Sequence, residues 1–294
     1  MITTKKINEY KIKLIPNIDK PKTLLNENLF SEPFPNILIL AKKKSGKTTV
    51  IYNILDRLVD KNTIVIFFVS TLLKDSSYKQ ILKNLKSKCI PYIPETSFYD
   101  DFGNNQLNNL ITYLKKETPD EETRDLNPFD SEDSSEDSSE NPYMGKTNTI
   151  LDDKVCDEHC DSCEKCFHPH ILMVLDDLSA ETRNDPALAK LLKTNRHLKI
   201  TVIISTQEIT DLKPDMLLQM QYCLAFSSIP KDSRNNKLRK LWSSLNLGIS
   251  YLSFEKLYEK ATAPDKPGEK SHNFLYIDVD NLAFRKNFNI SITI

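Results

Sequence analysis

The chain is poor in glycine and contains no long apolar segment. Only five of its 294 residues are glycine. No apolar run approaches the roughly 20 residues of a membrane-spanning helix, and the polar start, with Lys5 and Lys6, lacks the apolar stretch of a signal peptide. These absences argue against membrane and secreted proteins. We therefore expect an intracellular protein with no membrane segment and with reduced cysteines.

The net charge of −1 conceals an uneven distribution. Residues 117–165 contain 17 acidic and 4 basic residues, a net of −13, and the remainder contains 36 basic and 24 acidic residues, a net of +12. A basic body is compatible with a nucleic-acid partner. An ordinary lysine-rich surface would give the same count.

Apolar segments alternate with helical patterns along most of the chain. Continuous apolar runs rich in β-branched residues predict buried parallel strands, and helix-period segments lie between them. The alternation predicts an α/β domain with a mainly parallel central sheet flanked by helices. The predicted strands are residues 37–40, 63–69, 90–93, 171–177, 199–207, 222–226 and 274–278, and the predicted helices are residues 50–58, 78–85, 106–116, 186–194 and 232–245.

The first buried strand leads into a phosphate-binding motif. Ser45-Gly46-Lys47-Thr48 matches the end of the P-loop pattern, and an amphipathic helix follows. Backbone N–H groups of such a loop point at phosphates, and the helix dipole adds positive potential. Lys47 is expected to reach the β- and γ-phosphates, and the Thr48 hydroxyl to bind Mg²⁺. The predicted nucleotide-binding residues of this loop are Lys44, Ser45, Gly46, Lys47, Thr48 and Thr49.

Ala41 stands where the P-loop pattern has its first glycine. Alanine is compatible with the loop if the backbone at this position keeps a negative φ. A chance Gly-Lys-Thr in a lysine-rich turn is the alternative, and the flanking strand and helix favour the P-loop.

A second motif follows about 130 residues later. The apolar run from Ile171 to Leu175 ends in Asp176 and Asp177, the pattern of a Walker B strand. Such a strand places Asp176 at the carboxyl edge of the sheet, where it would bind Mg²⁺. Asp177 would orient or deprotonate an attacking water. Alone, the run could be a plain strand ending in an acidic turn, but its pairing with a P-loop favours the catalytic interpretation.

Two further candidates flank the strand near residues 199–207. Gln207 follows the strand and would face a γ-phosphate, although an ordinary strand-end amide is an equal alternative. Arg196 precedes the strand and could act as an arginine finger on a neighbouring subunit's nucleotide. It could equally interact with a helix C-terminus.

Together these motifs resemble the poxvirus-type DNA-packaging ATPases. The P-loop, Val174-Leu175-Asp176-Asp177 and the segment from Asn195 to Gln207 carry the resemblance. Its most specific part is Arg-His followed by a strand and Thr-Gln. These proteins belong to the FtsK/HerA group of P-loop motors and occur in large DNA viruses, virophages and Maverick-type elements.

The resemblance covers about residues 35–230 and implies an ASCE/RecA-like P-loop NTPase fold. It implies ATP hydrolysis with Mg²⁺, a homo-oligomeric ring, translocation of double-stranded DNA into a capsid, and a location in the host cytoplasm, a viral factory or the virion. It implies phosphate and Mg²⁺ contacts for Lys47 and Thr48, Walker B roles for Asp176 and Asp177, and a sensor role for Gln207. Asp177 replaces the glutamate of many related motors.

The remaining regions complete the predicted organisation. We expect an N-terminal extension (1–34), an ATPase core (35–230) interrupted by an acidic disordered insert (118–150) and a Cys/His-rich module (151–170), and a C-terminal part (231–294) that completes the core and supplies subunit contacts. A structural zinc site is predicted within the module, with free thiols as the alternative. Its predicted ligands are Cys156, Cys160, Cys163 and Cys166, and His168 or His170 could replace one of the thiolates.

Three other functions remain open. Another DNA-pumping ATPase of the same group would share every motif. A nucleotide-binding scaffold that does not hydrolyse ATP would explain Ala41 and Asp177. A small-molecule P-loop kinase would usually have an arginine-rich lid.

Overall fold

A computed structural model describes residues 29–117, 170–227 and 231–293. Three predictions fall outside these ranges: most of the N-terminal extension, the acidic insert and the cysteine cluster. In the part of the chain that is described, no helix is both long enough and apolar enough to cross a membrane.

Nine strands form one sheet in the order β3-β2-β4-β5-β1-β6-β7-β8-β9. The six strands from β3 to β6 in this order run parallel, and the last three pairings are antiparallel. The strands are β1 (Asn36–Leu40), β2 (Thr63–Val69), β3 (Tyr92–Glu95), β4 (His170–Asp176), β5 (Ile200–Thr206), β6 (Tyr222–Phe226), β7 (Phe274–Asp278), β8 (Ala283–Lys286) and β9 (Ile290–Ile292).

Eight α-helices accompany the sheet within the described residues. They are α1 (Lys47–Leu58), α2 (Ser76–Ser87), α3 (Gln106–Glu117), α4 (Ser179–Thr182), α5 (Pro186–Thr194), α6 (Pro214–Leu217), α7 (Lys231–Leu245) and α8 (Tyr251–Thr262). A 3₁₀ turn spans Ile209–Asp211.

The central strands are buried on both faces, as their continuous apolar runs predict. Successive side chains point to opposite faces and join two separate cores. One core contains Ile39 and Ile203 and packs against α1 and α2. The other contains Leu38 and Ile204 and packs against α3, α5, α7 and α8.

This architecture confirms the predicted α/β class with a mainly parallel central sheet flanked by helices. β5 lies between β1 and β4, so the strand that precedes Gln207 separates the strands that lead to the P-loop and to the acidic pair. All three strands are parallel, and their carboxyl ends therefore meet at one edge of the sheet. Ligands of open α/β sheets bind at this edge.

The strand and helix predictions hold within a few residues, but the C-terminal part contains elements that the sequence patterns did not indicate. The unpredicted strands β8 and β9 follow the predicted strand β7, all three pairings are antiparallel, and the unpredicted helix α8 packs against β7 and β8. β8 and β9 are four and three residues long. Segments this short carry too few apolar positions to establish a period.

Asp185 is a buried helix cap that also connects α5 to Asn105. Its Oδ1 caps α5 by accepting from the N–H groups of Ala187 and Leu188, and its Oδ2 accepts from Asn105 Nδ2 at 2.7 Å. The residue is 2% exposed. Asp185→Ala should lower the unfolding free energy by about 2–4 kcal/mol, because it removes a cap and leaves buried donors without a partner.

Asp75→Ala is the matched control, measured by urea unfolding at pH 7. Asp75 caps α2 through one bond from Ser77 N and is less buried, so its loss should cost about 0.5–1 kcal/mol. Equal losses for the two variants would contradict the account of Asp185.

Candidate functional site

The loop between β1 and α1 has the backbone that a phosphate cradle requires. Gly46 caps α1 with φ 99°, in the left-handed region that favours glycine. Lys44 also has a positive φ, and the Ser45 hydroxyl donates to the Lys42 carbonyl at 2.6 Å. Ala41 keeps a negative φ, so the conformation permits alanine at this position.

Lys47 joins the P-loop to the acidic pair. Its Nζ lies 2.7 Å from Asp176 Oδ1 and 3.2 Å from Asp177 Oδ1. The side chains of Lys47 and Asp176 are only 10% and 2% exposed. The motifs that the sequence places 130 positions apart therefore meet through one buried ammonium group.

Tyr78 is the second hydrogen-bond partner of the Asp176 carboxylate. The buried hydroxyl of this α2 residue donates to Asp176 Oδ2 at 2.7 Å. The apolar pattern around Tyr78 predicts a helix but no role at the site. A tyrosine on the apolar face of an amphipathic helix gives no sequence signal that separates it from an ordinary core residue.

Gln207 reaches the same cluster from β5. Its Nε2 donates to Asp177 Oδ1 at 2.9 Å, so this carboxylate oxygen accepts from both Lys47 and Gln207. Asp177 has φ 58°, a left-handed conformation that aspartate adopts more readily than most residues. The backbone turn immediately after β4 thus directs the second carboxylate toward the P-loop lysine.

The charges at the site reinforce one another. Burial disfavours the charged form of Lys47, but Asp176 and Asp177 outweigh burial and raise its pKa. Burial opposes ionisation of Asp177 as well, yet Lys47 and Gln207 lower its pKa below the usual range. Tyr78 is buried beside Asp176, and both effects raise its pKa. At neutral pH the site contains a lysine cation, an ionised Asp177 and a neutral tyrosine.

The segment before β7 contacts the P-loop from the C-terminal part of the chain. His272 Nδ1 lies 3.1 Å from the Ser45 carbonyl, and Lys270 Nζ donates to the Lys44 carbonyl at 2.9 Å. The Ser227 hydroxyl binds the Ser271 carbonyl and holds this segment against β6. These contacts were not predicted, because they depend on an antiparallel pairing between distant parts of the chain.

Arg196 lies away from this cluster. Arg196 precedes β5, whereas Gln207 follows this strand. The seven residues of β5 separate its two ends by about 20 Å. Arg196 is exposed, and its Nη2 atom lies 3.8 Å from Glu32 Oε2. The neighbouring Asn195 is buried and donates to the Phe34 and Ile200 carbonyls. Arg196 therefore does not approach the P-loop of its own chain, and its predicted role on a neighbouring subunit stays a prediction.

No family model and no curated protein matches the chain. Its structural neighbours are viral DNA-packaging and secretion ATPases. The DNA-packaging ATPase B204 of Sulfolobus turreted icosahedral virus is 18% identical over 87% of this chain and 97% of that chain, with a TM-score of 0.49.

Two further structures extend this comparison. The genome packaging NTPase B204 of Sulfolobus turreted icosahedral virus 2 in complex with AMPPCP is 18% identical over 87% of this chain and 98% of that chain, with a TM-score of 0.49. The cytoplasmic domain of the type VII secretion ATPase EccC of Thermomonospora curvata is 12% identical over 82% of this chain and 24% of that chain, with a TM-score of 0.43. Likeness at this level concerns the fold and not the activity.

The donors at the site suit a hard divalent cation. Thr48, in the first turn of α1, and Asp176 and Asp177 supply hydroxyl and carboxylate oxygens, which Mg²⁺ prefers. Mg²⁺ in nucleotide sites is usually bound through one or two carboxylates together with phosphates. Among the described residues no group of three or more His, Cys, Asp or Glu side chains could hold a metal alone. The four cysteines predicted as zinc ligands lie outside the described residues, whereas His170 begins β4 and its Nε2 lies 3.1 Å from Thr201 Oγ1.

Removal of the buried ammonium group should destabilise the protein. Lys47→Met would leave the carboxylate of Asp176 buried without a cation, at a cost of about 3 kcal/mol in unfolding free energy at pH 7. The pair between Lys88 and Asp56 is 40% and 44% exposed, so Lys88→Met should cost about 0–1 kcal/mol. Urea unfolding measures both variants, and similar losses would contradict the importance of burial.

The loss of unfolding free energy caused by Lys47→Met should also depend on pH. In the wild type, the lowered pKa of Asp177 stabilises the fold at neutral pH, and this contribution is lost as pH falls through the lowered pKa. In the variant, Asp177 lacks the ammonium group that lowers its pKa and protonates more easily. The difference in unfolding free energy between the two proteins should therefore be smaller at pH 3.5 than at pH 7, and a constant difference would contradict the electrostatic cause.

Proposed function

We propose that this protein hydrolyses ATP and uses the energy to translocate double-stranded DNA, in the packaging of a viral or virus-like genome. One observation carries the ATPase part of the proposal. The P-loop lysine, the acidic pair after β4 and the glutamine after β5 converge at the carboxyl edge of the sheet through three direct contacts. The resemblance of the sequence motifs to packaging ATPases supports the DNA-translocation part.

The P-loop would bind the phosphates of ATP. The loop from Lys44 to Thr49 leads into the N-terminus of α1, where free N–H groups and the helix dipole favour anions. Lys47 would turn from the carboxylates to the β- and γ-phosphates. The carboxylates raise the pKa of Lys47 before this exchange of partners, and the phosphates, which are also anions, would keep the ammonium group charged after it.

Asp177 and Gln207 would position the attacking water. While Lys47 binds Asp177, the lowered pKa of this carboxyl makes it a weak base. When the ammonium group moves to the phosphates, Asp177 loses its strongest cation and becomes more basic. It can then orient the water and accept a proton from it, and the Gln207 amide, already 2.9 Å from Asp177, can bind the same water or the γ-phosphate.

Thr48 and Asp176 would hold Mg²⁺, which supplies charge stabilisation to the phosphates when bound. The burial of Asp176 and its bond from Tyr78 restrict the orientation of the carboxylate. The cation site is therefore built on strand β4 and helix α1 rather than on a flexible loop.

DNA translocation would depend on contacts that ignore base sequence. The chain outside residues 117–165 has a net charge of +12, which favours binding to the phosphate backbone. A homo-oligomeric ring would surround the duplex, with Arg196 available to a neighbouring subunit and a capsid protein as a further partner. The corresponding location is the host cytoplasm or a viral factory, and the virion if the motor stays attached.

Hydrolysis by purified protein, with and without double-stranded DNA, tests this proposal. The wild type should hydrolyse ATP faster when DNA is present. The hydrolysis rate of Lys47→Ala should be at least 100-fold lower, because the substitution removes the phosphate contact. Lys88→Ala, which removes an exposed lysine distant from the P-loop in sequence, is the matched control and should keep the wild-type rate.

The possible results separate the alternatives. ATP binding without hydrolysis, with DNA present or absent, would contradict the motor and favour a nucleotide-binding scaffold. Conversion of ATP to ADP only when a small molecule is present to accept the γ-phosphoryl group would favour a kinase. DNA-stimulated hydrolysis would leave open only whether the motor packages a genome or pumps DNA for another purpose.

Gln207 allows a sharper test of the catalytic roles. Gln207→Ala should lower kcat by about 10- to 100-fold with little change in ATP affinity, because the amide acts on the reacting groups rather than on the bound phosphates. Glu208→Ala is the neighbouring control, since Glu208 forms an ion pair with Lys237. Equal kcat values for the two variants would remove Gln207 from the catalytic group.

A further inference from the structure

The hydroxyl of Ser205 is buried near the acidic pair. It has no hydrogen-bond partner within the described part of the chain. Three buried side-chain polar atoms lack a partner among the described residues, and two of them are the amide oxygens of Asn36 and Gln106, which can only accept. Ser205 Oγ is the third and can donate. The residue is 3% exposed. A hydroxyl buried in this way is costly unless another state of the protein supplies its partner.

The register of the sheet places Ser205 next to Asp176. The two residues are paired across the parallel strands β5 and β4, about 4.8 Å apart in the hydrogen-bonding direction. Ile203 and Val174 lie two residues earlier on these strands and share one core. Because side chains alternate along a strand, Ser205 and Asp176 point to that same face, toward α1 and α2.

The partners of Asp176 explain why this donor would be needed. The carboxylate accepts from Lys47 Nζ through Oδ1 and from the Tyr78 hydroxyl through Oδ2. If Lys47 turns to the phosphates as proposed above, Oδ1 loses its direct hydrogen bond from a cation while it remains buried, since Mg²⁺ usually keeps several of its waters and would contact Asp176 mostly through them. A buried carboxylate without compensating donors is strongly unfavourable, so a nearby donor would lower the cost of releasing Lys47.

We propose that Ser205 is a positioning residue that donates to Asp176 when Lys47 leaves it. A rotation about χ1 of serine, between staggered positions, directs the hydroxyl toward Asp176 on the neighbouring strand. The exchange keeps Asp176 oriented through both states of Lys47. This inference rests on the proposed function only for the event that moves Lys47.

A double-mutant cycle without nucleotide tests the contact independently of hydrolysis. In the wild type, Ser205→Ala removes a hydroxyl without a partner and should change the unfolding equilibrium constant by less than about twofold. In Lys47→Met, Asp176 has already lost its cation, and the same substitution should raise the unfolding equilibrium constant by about tenfold. Equal effects in the two backgrounds would overturn the proposal.

Nucleotide affinity provides a second, independent measurement that does not require Lys47→Met to fold. With Mg²⁺ and a non-hydrolysable ATP analogue, Ser205→Ala should bind about tenfold more weakly than the wild type, and Ser205→Thr, which keeps the hydroxyl, should bind within about threefold. Weakening by both variants, or by neither, would overturn the proposal. A wild type that binds no nucleotide would instead contradict the proposed function, while the double-mutant cycle would still decide the role of Ser205.

Discussion

The contact between Lys47 and Asp176 is the interaction on which the site depends. It places opposite charges 2.7 Å apart with almost no exposure to water, a pairing that is costly to break from either side. Every other polar group of the site is arranged around it. Tyr78 and Gln207 bind the carboxylates of the acidic pair, and the Gly46 turn directs Lys47 toward them. An anion that competes for Lys47 would therefore change the partners of the whole cluster.

The fold makes this contact possible through strand order. β5 lies between β1 and β4, so the carboxyl ends of three adjacent strands supply the P-loop, the acidic pair and Gln207. The antiparallel strands β7, β8 and β9 lie beyond β6. Through Lys270 and His272, the segment before β7 contacts the carbonyls of the P-loop. The C-terminal part is thereby connected to the phosphate site as well as to the sheet.

Sequence patterns predict the parts of the molecule that depend on local order. The buried strands, most helices and the residues of the two motifs follow from apolar periodicity and spacing, and Asp177 and Gln207 lie where the motifs predict. Long-range contacts were not predictable in this way. Tyr78, Ser205 and His272 join the site only through packing or strand register, and each would be an ordinary core or surface residue by its local pattern. Arg196, in contrast, has a recognisable motif but lies at the opposite edge from the P-loop.

The most direct test of the account is a structure of the protein bound to a non-hydrolysable ATP analogue and Mg²⁺. The account predicts that Lys47 Nζ lies within hydrogen-bond distance of the β- and γ-phosphates and has left Asp176, with the Ser205 hydroxyl donating to that carboxylate. Retention of the 2.7 Å contact between Lys47 and Asp176 in the nucleotide complex would contradict the exchange of partners on which the proposed catalysis depends.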